Sequence, residues 1–214
     1  RAVAQAIDAL PADFAGDVLV LSGDVPLLDN ETLSALLSEH RAAHAAATLL
    51  SAQLGNPTGY GRVIRDTDGG VARIVEQKDA SAEELTVTEV NAGVYVFRAA
   101  ALRAHIGGLT TDNAQGEMYL TDMVALLRGA GESVAARTIS DSSLVEGVND
   151  RVQLAAAAAR LNARVIRHWQ LAGVTVQDPA TTWIDVTATL APDVTLLPGT
   201  QMLRATVIGA GATI

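Results

Sequence analysis

The run Val18-Leu19-Val20-Leu21-Ser22-Gly23-Asp24-Val25-Pro26-Leu27 decides how this chain is to be read. It begins with valine alternating with leucine, the pattern of a strand buried on both faces, as in a parallel sheet. It breaks at Ser-Gly-Asp, and Pro26 lacks the N–H that a continuing ladder needs. Open α/β sheets bind ligands in the crevice beyond the carboxyl ends of their strands. A carboxylate there, Asp24, is placed to hold a divalent metal against phosphate groups, and is equally well placed as an ordinary turn or N-cap aspartate.

Upstream of that run, Ala2, Val3, Ala6, Ile7 and Leu10 share one face at helical spacing, and residues 11–16 form a loop. A strand normally precedes such a helix, so the chain is expected to be a fragment without its upstream part. Downstream, Leu28-Asp29-Asn30 opens a helix to about His40, with Asp29 or Asn30 as cap and Leu33, Leu36 and Leu37 inward. Residues 46–53 read as the next strand. Strand–helix–strand at this spacing predicts a βαβ unit and a parallel sheet. Gly55, Pro57, Gly59 and Gly61 mark a loop whose backbone can approach a ligand closely. Residues 62–65 and 71–76 flank Asp68-Gly69-Gly70, a hairpin signal. A strand over 89–97, helices over 99–106 and 121–128, and a strand over 134–138 follow. Residues 146–151 lead into a long Ala-rich helix to about Ala172.

The period then changes. Ile184, Leu190, Leu196, Met202, Ile208 and Ile214 recur every sixth residue, with Ala188, Val194, Thr200, Thr206 and Ala212 two positions before the later ones. A six-residue repeat predicts the first coils of a left-handed parallel β-helix. The repeat runs to the last residue, so that domain is expected to be cut short.

At 214 residues and 49% hydrophobic, the chain can bury one or two cores. It has no cysteine, which excludes disulfides, thiolate metal sites and a cysteine nucleophile and fits a reducing compartment. No apolar run is long enough to span a membrane, and no signal-peptide pattern opens the chain. A net charge of −9 argues against a nucleic-acid-binding surface but not against a small phosphorylated substrate, because a metal can supply local positive charge.

Seven segments occur in order: residues 22–27 (Ser-Gly-Asp-Val-Pro-Leu), 59–62 (Gly-Tyr-Gly-Arg), 74–79 (Ile-Val-Glu-Gln-Lys-Asp), 89–93 (Glu-Val-Asn-Ala-Gly), 113–117 (Asn-Ala-Gln-Gly-Glu), 119–122 (Tyr-Leu-Thr-Asp) and 146–149 (Glu-Gly-Val-Asn). Followed by hexapeptide repeats, this set resembles the bacterial bifunctional N-acetylglucosamine-1-phosphate uridylyltransferase / glucosamine-1-phosphate N-acetyltransferase family over nearly the whole chain. The resemblance implies a Rossmann-like α/β nucleotidyltransferase domain with a mixed, mostly parallel sheet over 1–151, its N-terminal part missing. A linker helix over 152–172 and the start of a left-handed β-helix over 173–214 would follow. It implies Mg2+-dependent joining of UTP and N-acetylglucosamine 1-phosphate into UDP-N-acetylglucosamine and pyrophosphate. It also implies acetylation of glucosamine 1-phosphate from acetyl-CoA, both for cell-wall precursors, in a cytoplasmic homotrimer when full length. By position, Asp24 and Asn149 match the family's metal ligands, Ser22 and Gly23 line its nucleotide-sugar site, and Gly61, Glu76 and Asn91 contact the sugar. Asp150 stands where a second Asn is usual and Met118 where an aromatic is usual. The family's Gly-rich phosphate loop and its acetyltransferase residues fall outside residues 1–214, so the fragment is expected to be inactive alone.

The residues suit that chemistry. A sugar-phosphate nucleophile is already ionised near neutral pH, so no general base is needed and no acid–base residue is assigned; charge neutralisation and in-line positioning suffice. Mg2+ takes one or two protein oxygens and lets phosphates complete its shell, which one carboxylate and one amide provide. Asn149 is alternatively the N-cap of the long helix. Glu76 reads as an acceptor for sugar hydroxyls or as an ion pair with Lys78. Asn91 reads as a donor–acceptor for an N-acetyl group or hydroxyls, or as a strand-start residue satisfying a neighbouring backbone group. Gly61 is either a bare turn or a position that needs no side chain. His40, His44, His105 and His168 lack metal-ligand spacing and read as core or surface residues. Two other readings fit the same architecture: a non-catalytic regulatory or assembly subunit, and a sugar-1-phosphate nucleotidyltransferase using another base or sugar.

Overall fold

In the computed structural model, residues 2–214 are described, and they divide into two compact units, 1–146 and 147–214. The first contains α1 (Ala2–Ala9), β1 (Asp17–Val20), α2 (Asn30–Ala42), β2 (Ala47–Gln53), β3 (Arg62–Arg65), β4 (Val71–Val75), β5 (Glu89–Arg98), α3 (Ala99–His105), α4 (Met123–Gly129) and β6 (Val134–Ile139). Asp29 is the cap of α2, its carboxylate accepting from the Thr32 N–H at 2.8 Å.

The six strands form one mixed sheet, and its directions correct the expectation of a mostly parallel one. Only β2 and β6 pair parallel; β5 pairs antiparallel with β1, β2 and β3, and β3 with β4. Because β1 and β2 both run antiparallel to β5, they share a direction as the strand–helix–strand reading requires, but β5 lies between them. β1 is also less buried than its sequence suggests. Among the described residues it pairs with β5 alone, and Leu19 is 40% exposed.

Alternation along β2 and β5 builds a core on each side of the sheet. On one face Leu49, Tyr95 and Phe97 pack with Ile7, Leu102 and Leu127 from α1, α3 and α4. On the other Leu50, Val90, Val94 and Val96 pack with Leu36 of α2 and with Leu144 and Val145. Glu89, buried at the start of β5, accepts from Arg65 at 2.7 and 2.8 Å and from Ser51 at 2.6 Å, which fixes where β5 begins against β2 and β3. His40 is a core histidine, its Nδ1 2.9 Å from the Thr48 hydroxyl.

The second unit contains α5 (Arg151–Leu171) and six two-residue strands: β7 (Thr175–Val176), β8 (Trp183–Ile184), β9 (Thr189–Leu190), β10 (Thr195–Leu196), β11 (Gln201–Met202) and β12 (Val207–Ile208). They form three small parallel sheets, β7 with β10, β8 with β11 and β9 with β12, and Thr195 bridges on to Thr213. Ile184, Leu190, Leu196 and Met202, four of the six-residue series, are buried together with Ala188 and Val194. Asn162 of α5, itself buried, donates to the Thr182 carbonyl at 2.8 Å and accepts from the Ile184 N–H at 3.0 Å, tying the helix to β8.

Candidate functional site

Four of the residues singled out in the sequence gather around the start of β5 and the ends of β1, β3 and β4. Ser22, two residues past β1, donates its hydroxyl to the Gly93 carbonyl at 3.2 Å. Gly93 sits where β5 bulges against β2: Tyr95 faces Leu49 and Asn91 faces Ser51, so four residues of β5 span what two of β2 span. The bulge needs a left-handed backbone, and Gly93 has φ +70°. A methyl group there would come within 2.5 Å of the Ser22 oxygen, so close approach of two chain segments also requires glycine.

Asn91 lies just before the bulge. Its N–H donates to the Gly61 carbonyl at 2.9 Å, binding the β3 entry to β5. Its side-chain amide donates to the Tyr95 phenol at 2.7 Å and accepts from the Gly93 N–H at 3.3 Å, so it does satisfy a neighbouring backbone group. Gly61 is buried against Glu76: a Cβ would stand 3.2 Å from Ile74 Cγ2 and 3.3 Å from Glu76 Oε1. The absent side chain is what lets the carboxylate lie against the loop.

Glu76 follows β4 and accepts from the Thr121 hydroxyl at 3.1 Å. Burial pushes its carboxyl above the usual range, and the negative charges of Asp122 and Asp79 act the same way, while the Thr121 bond opposes them. Lys78 is not its ion-pair partner; the ammonium donates to Gln115 at 2.7 Å. Asp79 accepts from the Ala114 N–H at 2.8 Å, so residues 113–117 dock on residues 77–79, and two motifs far apart in sequence become one wall. Glu76, Asp79, Asp112, Asn113, Tyr119 and Asp122 line a polar concavity of about 180 Å³. Thr121 and Tyr95, which sequence reasoning did not single out, thus hold Glu76 and Asn91. Thr121 lies in the Tyr-Leu-Thr-Asp motif, which was signal enough to find it; nothing local marks Tyr95.

Gly23 and Asp24 are exposed on the loop after β1, next to Ser22. Asn149 lies in the second unit, where the structure corrects the alternative that it caps the long helix. Asp150 is the N-cap of α5, accepting from the Gln153 N–H at 2.8 Å, and the Gln153 side chain accepts from the Asn149 N–H at 2.6 Å. This reciprocal pair closes the helix entrance much as a capping box does. Asp150 therefore has a structural task that accounts for its carboxylate. Among the described residues no three His, Cys, Asp or Glu side chains gather to hold a metal, and no helix is long and apolar enough to cross a membrane.

Residues 1–188 match the family model described as nucleotidyl transferase. The chain is 62% identical over 213 residues to the bifunctional protein GlmU of Leifsonia xyli subsp. xyli, covering 100% of itself and 44% of that protein. It is 62% identical over 214 residues to GlmU of Clavibacter sepedonicus, covering 100% of itself and 43% of the relative. The chain thus spans less than half the length of the curated relatives it matches. The solved structure of a CMP:2-keto-3-deoxy-manno-octonic acid synthetase aligns with a TM-score of 0.50 at 14% identity, over 78% of this chain and 67% of that one, a likeness of fold alone.

Proposed function

Because the chain belongs to the nucleotidyl transferase family, we propose that residues 1–151 are part of a uridylyltransferase domain that joins UTP to N-acetylglucosamine 1-phosphate and releases pyrophosphate. The observation that carries this reading is the cluster around β5: a half-buried carboxylate, Glu76, and a fixed amide, Asn91, bridged by the side-chain-free Gly61. That is equipment for reading the hydroxyls of an uncharged sugar ring. Thr121 occupies one Glu76 oxygen and leaves the other to accept from the ligand. A hydrogen bond to a charged acceptor contributes about 1.5–3 kcal/mol, enough to set the sugar's orientation.

In this reading the sugar phosphate, already ionised, attacks the α-phosphorus of UTP, and pyrophosphate leaves. The protein orients the sugar through Glu76 and Asn91, and the Ser22–Gly93 bond holds the loop bearing Gly23 and Asp24 against the same strand. Asp24 would hold Mg2+ through its carboxylate, and Asn149, in the second unit, keeps the ligand role that the resemblance implies. A donor set of one carboxylate and one amide suits an ion whose remaining positions are filled by phosphates and water, and does not suit a metal caged by protein alone. When bound, Mg2+ neutralises phosphate charge.

We assign residues 152–172 as a linker helix and 173–214 as the first coils of a left-handed β-helix belonging to an acetyl-CoA:glucosamine-1-phosphate acetyltransferase domain, homotrimeric at full length. Parallel pairing of Trp183 with Gln201 and of Thr189 with Val207, over a buried six-residue series, supports that assignment. The 62% identity to a protein named bifunctional supports the two-domain reading.

The test joins this chain to the flanking sequence of the Leifsonia relative and measures pyrophosphate release from UTP and N-acetylglucosamine 1-phosphate. Asp24→Ala should lower the rate by several orders of magnitude; a rate within about tenfold of the unsubstituted protein would overturn the metal assignment. Equal turnover with another nucleoside triphosphate would overturn the uridylyl assignment.

A further inference from the structure

We propose that Tyr95 is a positioning residue for sugar recognition: with the Gly93 N–H, its phenol oxygen holds the Asn91 amide so that an N–H and a carbonyl lone pair are turned toward the ligand. This rests on the sugar-reading role given to Asn91 above. Along a regular strand, residues four apart stand about 13 Å from each other and cannot share a hydrogen bond. Asn91 and Tyr95 nevertheless meet at 2.7 Å. They do so because β5 bulges at Gly93, with φ +70°, and fits a four-residue step opposite a two-residue step of β2.

The amide's orientation follows from fixed chemistry. The Gly93 N–H can only donate, so the side-chain atom facing it at 3.3 Å is the Asn91 carbonyl oxygen. The NH2 group therefore faces the phenol, whose oxygen accepts. An asparagine side chain has two N–H donors and two carbonyl lone pairs. One of each is committed, to Tyr95 and to Gly93, leaving one donor and one acceptor for a ligand. A vicinal pair of ring substituents, two hydroxyls or a hydroxyl beside an acetamido group, presents the matching acceptor and donor.

The phenol is a rigid anchor. Tyr95 is 3% exposed and its ring stacks on Phe97 with centroids 5.5 Å apart. It also remains a neutral phenol. Burial pushes its ionisation far up and the charge on Glu76 adds to that, against the Asn91 bond. Without the phenol oxygen the NH2 group loses its partner, and the longer Gly93 contact at 3.3 Å is left to hold the amide.

Tyr95→Phe in the extended protein described above removes one oxygen and keeps the ring in the core. The expected result is a rise of about tenfold in KM for N-acetylglucosamine 1-phosphate, with KM for UTP and kcat within about twofold, the loss of one hydrogen bond's worth of ground- and transition-state binding. On an Asn91→Ala background the same change should do nothing further, because the group that Tyr95 orients is gone. A purely structural role would instead move both KM values or kcat, and would persist without Asn91. An unchanged sugar-phosphate KM in Tyr95→Phe, or a full additional loss on the Asn91→Ala background, overturns the proposal while the transferase reading stands. No pyrophosphate release by the unsubstituted protein overturns the transferase reading, and the Tyr95 role with it.

Discussion

Gly93→Ala probes the point where the candidate site is assembled. An L-residue held at φ +70° loses roughly 1–2 kcal/mol to steric conflict with its own backbone. The added methyl would also lie 2.5 Å from the Ser22 oxygen, so the hydroxyl has to swing away from the Gly93 carbonyl that it meets at 3.2 Å. Loss of that partly buried hydrogen bond costs about 0.5–1.5 kcal/mol. Urea unfolding followed by circular dichroism should therefore show a loss of about 2–3 kcal/mol with an unchanged denaturant slope. Ser22→Ala alone should cost only the hydrogen bond. In combination with Gly93→Ala it should cost almost nothing more, because the bond is already gone and the remaining Ser22 Cβ lies at an ordinary 3.6 Å. A Gly93→Ala loss below about 0.5 kcal/mol, or full addition of the two single effects, would refute both the strained bulge and the close approach.

Two further substitutions separate binding from folding. Burial raises the Glu76 carboxyl above its ordinary value, so the neutral form favours folding; that contribution is complete below the unfolded chain's pKa and is lost as pH climbs through the folded value. Glu76→Gln should therefore melt higher than the unsubstituted protein near neutral pH, with the gap closing toward about pH 4 as the wild-type carboxyl becomes protonated in both states, while sugar-phosphate affinity falls. Thermal scans across pH check the first and titration the second. Asp150→Ala should cost about 1 kcal/mol of stability through the lost cap on α5, with the Mg2+ dependence of the rate unaltered. Asn149→Ala should show the converse, because its backbone N–H keeps the Gln153 bond whatever its side chain is.

Most elements are legible in the sequence because their periods differ: the 3.6-residue pattern of α2, the Asp-Gly-Gly hairpin between β3 and β4, and the six-residue series from Ile184. Strand neighbours are not legible. Periodicity along β1 and β2 says nothing of β5, which arrives about forty residues after β2 and separates them, converting an expected parallel pair into two antiparallel ones. Leu19 and Leu21 read as core for the same reason, since a strand's pattern does not reveal which of its edges and faces are covered. At the entrance to α5, Asn149 and Asp150 are equally good caps by type; the glutamine three residues after Asp150 is the signal that distinguishes them. Within the candidate site, Ser22, Gly61, Glu76 and Asn91 stand out in their motifs, but Tyr95 looks like one more apolar strand residue. Its role exists only once β5 bulges at Gly93.

In the second unit Trp183 lies beside Gln201, Thr189 beside Val207 and Thr195 beside Thr213, each partner eighteen positions on, whereas Thr175 lies beside Thr195, twenty on. The two surplus residues belong to the stretch 177–182, where Asp178 gathers the Ala180 N–H and the Thr181 hydroxyl into a tight turn. Length variation here is consequently quantised. A deletion of one residue inside 183–213 shifts every later ladder partner out of step, removal of eighteen leaves the remainder in phase, and small insertions are absorbed only where a turn already stands clear of the stack. Natural or engineered length variants should accumulate at that turn and at the tips between strands, and nowhere along the rungs.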